Sequence, residues 1–285
     1  MEEARLSEGT IRYRDEGSGE PLLFAHGLLV NGRLWDGLVE RLNQDFRCVV
    51  PELPLGSHTL PMDPDADLSP PGVARTLAEL IERLELGPVT LVGNDSGGAI
   101  SQILATTRPE LVGRLVLTNC DTYENFPPKL FAYLGVAAKV PGALAALSQS
   151  MRIKALRRSP LAFGVLTESR IDDELLDSWI RPGLEDAAVR RDTRKFIRGV
   201  SPSQTVEAAR RLEAFAAPTL FAWAPGDRWF RIADAERLSA SMPDARVERI
   251  AGSKTFVPID QPQRLAEAVV AFMRETEPAS AAAPV

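Results

Sequence analysis

The stretch Pro88-Val89-Thr90-Leu91-Val92-Gly93-Asn94-Asp95-Ser96-Gly97-Gly98 decides the fold. An apolar, β-branched run of strand length ends at a glycine, turns sharply, and opens a helical segment that continues through Thr107. Gly93 and Gly97 bracket Asp95 in a Gly-x-nucleophile-x-Gly arrangement, whose central residue sits on a strained strand-to-helix turn with its side chain above the sheet. The competing frame centred on Ser96 puts Asn94 where a small residue is needed. A helix N-terminus behind Asp95 supplies free amide donors and the positive end of a dipole, both favouring an ionised carboxylate. The glycines have neither Gly-x-Gly-x-x-Gly nor Gly-Lys-Ser/Thr spacing, so no nucleotide is expected.

On either side of this turn, strand and helix signals alternate. Pro21–Ala25 and Phe46–Val50 are further buried strands. Asn31 caps a helix carrying Leu34, Trp35, Leu38, Val39 and Leu42 on one face, and Pro70-Pro71 opens another with Val73, Leu77, Leu80, Ile81 and Leu84 as its stripe. Leu115–Thr118 continues the pattern. This rhythm implies an α/β fold with a mostly parallel sheet covered on both faces. It breaks after Asp121, stays helical and proline-punctuated to about Gln204, and resumes at Pro218–Trp223. The expected division is a core of residues 1–121 and 206–275, a helical cap of 122–205, and a flexible tail of 276–285.

Composition narrows the function classes. The chain has 285 residues with 33 Lys+Arg against 39 Asp+Glu, a net charge of −6. That balance disfavours nucleic acid and anionic membrane surfaces as partners. No leader or membrane span is visible, so a soluble, cytoplasmic protein acting on a small molecule is expected. Cys48 and Cys120 read as buried thiols. No His/Asp cluster has ligand spacing, so neither metal nor cofactor is expected.

Over all but the tail, the chain resembles the α/β-hydrolase fold, with a helical cap inserted. His26-Gly27-Leu28 is similar to that family's His-Gly-x loop, and the aspartate turn resembles the haloalkane dehalogenase and epoxide hydrolase branch. The resemblance implies an oxyanion hole from the backbone amides of Leu28 and Ser96. It implies a triad acid at Asp227, in Phe221-Ala222-Trp223-Ala224-Pro225-Gly226-Asp227, with Asp121 the alternative. A carboxylate is ionised at neutral pH and needs no base to attack carbon; the resulting enzyme ester needs a base-activated water.

The base is where the sequence departs from the family. Its histidine is expected in Ile250-Ala251-Gly252-Ser253-Lys254-Thr255-Phe256-Val257-Pro258, where Thr255 stands, beside Lys254. Threonine is no base near neutral pH, and Lys254 would need a depressed pKa. The sequence has two histidines. His26 belongs to the oxyanion loop with a structural role. His58 lies in a long loop toward the strands' C-terminal edge and reads either as a stand-in base or as an exposed loop residue.

Subfamily devices are also altered: the dehalogenase tryptophan after the aspartate is Ser96, the asparagine after His-Gly is Leu28, and the tyrosines are Tyr13, Tyr123 and Tyr133. Phe131, Phe163, Trp179 and Phe196 read as cap packing or as a pocket wall. The basic residues of 151–158, Arg190-Arg191 and Arg194-Lys195 read as solvated faces. The sequence leaves three functions open: a hydrolase of a small apolar molecule using Asp95, a non-hydrolytic enzyme (cyclase, isomerase or lyase, as in secondary metabolism), or an inactive binding protein.

Overall fold

The computed structural model describes residues 1–278; residues 279–285, most of the expected tail, lie outside the described residues. The chain runs through β1 (Glu2–Leu6), β2 (Gly9–Glu16), β3 (Pro21–Ala25), α1 (Asp36–Leu42), β4 (Arg47–Pro51), α2 (Pro70–Arg83), β5 (Val89–Asp95), α3 (Ser96–Thr107) and β6 (Val112–Cys120). Helices then follow without a strand: α4 (Ala132–Lys139), α5 (Ala143–Ser150), α6 (Lys154–Arg157), α7 (Asp173–Glu185), α8 (Ala187–Gly199) and α9 (Pro202–Leu212). The alternation resumes with β7 (Thr219–Trp223), α10 (Ile232–Ser241), β8 (Ala245–Arg249), α11 (Val257–Asp260) and α12 (Pro262–Glu275).

One eight-stranded sheet has the order β1-β2-β4-β3-β5-β6-β7-β8. The β1–β2 and β2–β4 pairs are antiparallel, and every pair from β4–β3 to β7–β8 is parallel. This is the α/β arrangement read from the sequence, with the helical region inserted between β6 and β7. Successive strand residues point to opposite faces, and both faces are covered. Leu23, Val49, Leu91 and Leu117 pack in one core with Leu77, Ile81 and Ile100 of α2 and α3. Leu22, Phe24, Val92 and Val116 pack in the other with Leu38 of α1 and Leu265, Val269 and Phe272 of α12. Each such fully buried side chain contributes about 1.5–3 kcal/mol. Cys48 and Cys120 are free and buried. Among the described residues, no helix is long and apolar enough to cross a membrane.

Local signals act where the sequence put them. The Asn31 side chain accepts from the Arg33 amide at 3.1 Å, although it caps a 3-10 turn (Gly32–Trp35) that precedes α1. Ser69 caps α2 through the Gly72 amide at 3.2 Å, ahead of the prolines. Three boundaries differ from expectation. β1 carries no apolar run, because an edge strand buries only Ala4 and Leu6. The expected cap boundary at 205/206 falls inside α9, and α9 packs on α3 as part of the core. Thr276, at the start of the expected tail, is tied down by Arg114, whose guanidinium reaches the Thr276 hydroxyl at 2.9 Å and carbonyl at 2.5 Å.

Candidate active site

β5 shifts register against β6 between Gly93 and Asp95, and the chain reverses directly into α3. Asp95 sits at φ +53°, ψ −132°, a conformation an L-residue adopts only under constraint, at a cost of about 1–3 kcal/mol. Two close approaches supply that constraint. A Cβ on Gly97 would stand 2.1 Å from the Ala25 carbonyl oxygen, and one on Gly27 would stand 2.1 Å from Asp95 Oδ2. Only glycine at both positions lets β3, its following loop and the start of α3 close around the carboxylate.

The carboxylate rests against the Gly27 backbone, facing the amides of Leu28 and Ser96, which favour its charged form. Burial outweighs them. Together with the like charge of Asp227 it pushes Asp95 up to about 7, so that both protonation states are populated near neutrality.

Two further aspartates stand at the ends of the neighbouring strands. Asp121 follows β6 and is 1% exposed; the Ser96 side chain is near enough to favour its charge, but among the described residues no donor meets either carboxyl oxygen in hydrogen-bonding geometry. Burial and then the Asp95 charge hold its pKa well above the carboxylate range.

Asp227, after β7, is buried among donors: the amides of Trp229 at 2.7 Å and Phe230 at 3.2 Å, Asn119 Nδ2 at 3.1 Å and the Thr255 hydroxyl at 2.8 Å. Desolvation still raises its pKa above the ordinary value. Thr255 thus occupies the hydrogen-bonding position on Asp227. Its own carbonyl accepts from Asn94 Nδ2 at 2.7 Å, which ties this loop to β5. Asn119 also accepts from the Ala224 amide at 2.7 Å and donates to the Ala224 carbonyl at 3.2 Å. Asn94 and Asn119 position the site and were missed in the sequence. Their one signal was a buried amide side chain at the end of an otherwise apolar strand.

The remaining candidates fall elsewhere. His26 Nδ1 donates to the Gly27 carbonyl at 2.9 Å and Nε2 accepts from the Leu53 amide at 2.9 Å, a neutral ring whose pKa burial lowers to about 4. His58 is neither an exposed loop residue nor a group facing Asp95. It is 2% exposed, Nδ1 accepts from the Gly56 amide at 3.3 Å, and Nε2 donates to Asp192 of α8 at 3.3 Å. Lys254 points at Glu168 (3.5 Å) and the Thr167 carbonyl (3.4 Å) in the inserted region.

A cavity of about 370 Å³ lies over Asp95, between the sheet and the inserted helices. Phe131, Phe163, Trp179 and Phe196 all line it, so these aromatics form a pocket wall as well as packing. Phe163 and Trp179 rings lie 5.4 Å apart, and Trp179 meets Phe256 edge-on at 5.7 Å. Among the described residues, Asp95 is the one acid of the lining, and it remains partly accessible there. The basic run 151–158 is not a free face: Arg157 pairs with Asp177, and Arg158 and Lys154 pair with Asp173. Among the described residues, no group of three or more His, Cys, Asp and Glu is placed to hold a metal.

Comparison with known proteins fits this architecture. Haloalkane dehalogenase 2 of Mycobacterium tuberculosis is 29% identical over 270 residues, covering 93% of this chain and 91% of the relative. A 2-hydroxy-6-oxononadienedioate/2-hydroxy-6-oxononatrienedioate hydrolase of Burkholderia vietnamiensis is 26% identical over 283 residues, covering 94% and 93%. Among solved structures, an alpha/beta hydrolase fold protein from Burkholderia ambifaria superposes with a TM-score of 0.81 at 19% identity, covering 95% of this chain and 97% of that one. The family model of the alpha/beta hydrolases matches residues 22–268, from β3 into the last helix, and the chain belongs to that family.

Proposed function

We propose that the protein is an α/β-hydrolase enzyme in which Asp95 attacks an electrophilic carbon of a small, largely apolar molecule held under the helical cap. One observation carries this reading: the one acid on the wall of an apolar cavity is an aspartate forced onto a strained turn, with two backbone amides facing it. In the first step an Oδ of the ionised carboxylate forms a C–O bond to the substrate carbon, and the leaving group departs with its electron pair. Trp179, on the cavity wall, has an indole N–H without an acceptor among the described residues, a donor suited to a developing anion. In the second step water adds to the carbon of the Asp95 ester, with the Leu28 and Ser96 amides taking the negative charge, and the ester C–O bond breaks. The relatedness to a haloalkane dehalogenase supports the same order of steps.

The second step is the slow one. It needs an acceptor for the water proton, and Thr255 holds the place on Asp227 where an imidazole would serve. Asp227, with a pKa raised by burial, is the neighbouring carboxylate able to take that proton.

Intact-mass spectrometry after incubation with 1-bromohexane, 1,2-epoxyhexane and 4-nitrophenyl butyrate tests the reading. The expected result is a long-lived adduct on Asp95, absent in Asp95→Asn, that turns over faster in Thr255→His. Neither adduct nor turnover across the panel would sink it. The same fact favours a second reading, a non-hydrolytic enzyme in which Asp95, poised near pH 7, donates and accepts a proton; turnover of a neutral substrate without any adduct would select it.

A further inference from the structure

The basic residues of α8 separate onto two faces. Arg191 and Lys195 face the core loop after β4. The Arg191 guanidinium reaches the Met62 carbonyl at 2.5 Å, and Lys195 Nζ reaches the carbonyls of Pro64 at 2.5 Å and Ala66 at 2.8 Å. Arg190, Arg194 and Arg198, spaced four residues apart, share the other face. Arg194 crosses to the C-terminus of α4, donating to the Ala138 carbonyl at 2.7 Å, and so brings α4 alongside. Arg190 and Arg198 line the cavity, and so does Lys139 at the end of α4.

Among the described residues, none of these four cations forms an ion pair. Arg190 donates only to the Gly183 and Leu184 carbonyls, at 2.9 and 3.1 Å. Lys139 and Arg198 are exposed and have no side-chain hydrogen bond. In the run 151–158, by contrast, Arg157 is spent on Asp177 and Arg158 on Asp173. The cavity lining therefore has three cations and, apart from Asp95 at the floor, no acid. Beside the cations, Tyr133 and Leu161 also line the cavity, yet are 37% and 60% exposed. The entrance is apolar and positive, the wall is apolar, and the floor holds the reactive carboxylate.

We infer that the substrate is an amphiphilic anion, an apolar chain ending in a carboxylate or similar group, whose charged end is held at the entrance by Lys139, Arg190 and Arg198 while its electrophilic carbon reaches Asp95. This rests on the cavity being the substrate site. An apolar chain gains from burial against the aromatic wall, and an anionic end group kept at the entrance stays far from the Asp95 charge and near partially hydrated cations.

Titration calorimetry with octanoate and with 1-octanol, neither of which can alkylate the enzyme, tests the inference apart from the chemistry. Octanoate is expected to bind about tenfold more tightly at low salt. The preference should shrink toward parity in Lys139→Gln/Arg198→Gln, whose side chains are exposed and hold nothing else, and on raising salt from about 20 to about 300 mM. Bound octanoate should also slow adduct formation on Asp95 by 1-bromohexane. Equal or tighter binding of 1-octanol, or a preference indifferent to the double substitution, would overturn it. If octanoate binds in the substitution-dependent way and no reagent ever labels Asp95, the entrance stands and the nucleophile does not.

Discussion

At the scale of single residues, the site is a problem of three buried carboxyls sharing too little solvent. Asp95 must be ionised to attack, and burial sets its pKa near 7. The rate of adduct formation with 1-bromohexane should therefore climb through about pH 7 and level off above it. Asp227→Asn removes the like charge that contributes to the rise, and should move the midpoint to lower pH. A rate profile that is flat between pH 5 and 9 (about two units either side) would show that Asp95 is not the titrating nucleophile. Asp95 was legible in the sequence because its signal is local: flanking glycines and a strand that turns straight into a helix. The support around it was not. Asn119 reaches Ala224 and Asp227 more than a hundred positions away, and His58 reaches Asp192 across 134 positions, so no local pattern distinguished them from loop or strand residues.

At the scale of elements, two junctions hold the site together, and each makes a prediction. The first is the contact between β3 and the start of α3, where a Cβ on Gly97 would overlap the Ala25 carbonyl. The obstacle is backbone on both sides, so Gly97→Ala cannot be relieved by a rotamer change. It should cost roughly 1–3 kcal/mol or more in urea unfolding, whereas Ala at Gly135, open and within α4, should stabilise by about 0.5–1 kcal/mol. The second is the seat of α8. Asp192 is fully buried and accepts from the Met62 amide at 2.8 Å, His58 Nε2 at 3.3 Å and Arg191 Nε at 2.9 Å. Asp192→Ala strands these donors and should cost about 3–5 kcal/mol. Its mark should be local: faster amide exchange in α8 and the loop after β4, with β5 and β6 still protected. Uniform loss of protection would mean that the insertion and the sheet unfold as one unit. The elements themselves were readable wherever both faces of a strand are buried, as in β3 and β5, since the apolar run is then continuous. β1 escaped because an edge strand exposes alternate residues and borrows its order from β2.

For the whole molecule, the buried titratable groups set how stability follows pH, and two of them oppose each other. The His26 pKa is lowered from 6.5 to about 4 in the fold. The unfolded chain then binds the extra proton, and stability from this group is lost as pH falls through that interval. The Asp95 pKa is raised from 3.8 to about 7, so the folded chain holds the extra proton, and stability from this group is full below about 4 and lost as pH rises toward 7. At about 1.4 kcal/mol per pK unit the two effects are of similar size, about 3 and about 4 kcal/mol, and largely cancel between pH 4 and 6.5. Asp121 and Asp227, also raised, add to the loss of stability as pH rises above the ordinary carboxylate range. The ion-paired surface carboxylates such as Asp63 and Asp173 weigh little, because solvent screens them. The native protein should accordingly lose stability as pH rises through neutrality, with His26 offsetting the loss between about pH 4 and 6.5. Asp95→Asn removes one of the opposed groups and leaves the other. Its unfolding free energy in urea should match the native protein near pH 4, pull ahead of it as pH rises, and exceed the native value by up to about 4 kcal/mol at pH 8. A variant no more stable than the native chain at pH 8 would mean that the carboxylate is well solvated, and with it the account of Asp95 as a strained, desolvated nucleophile would fail.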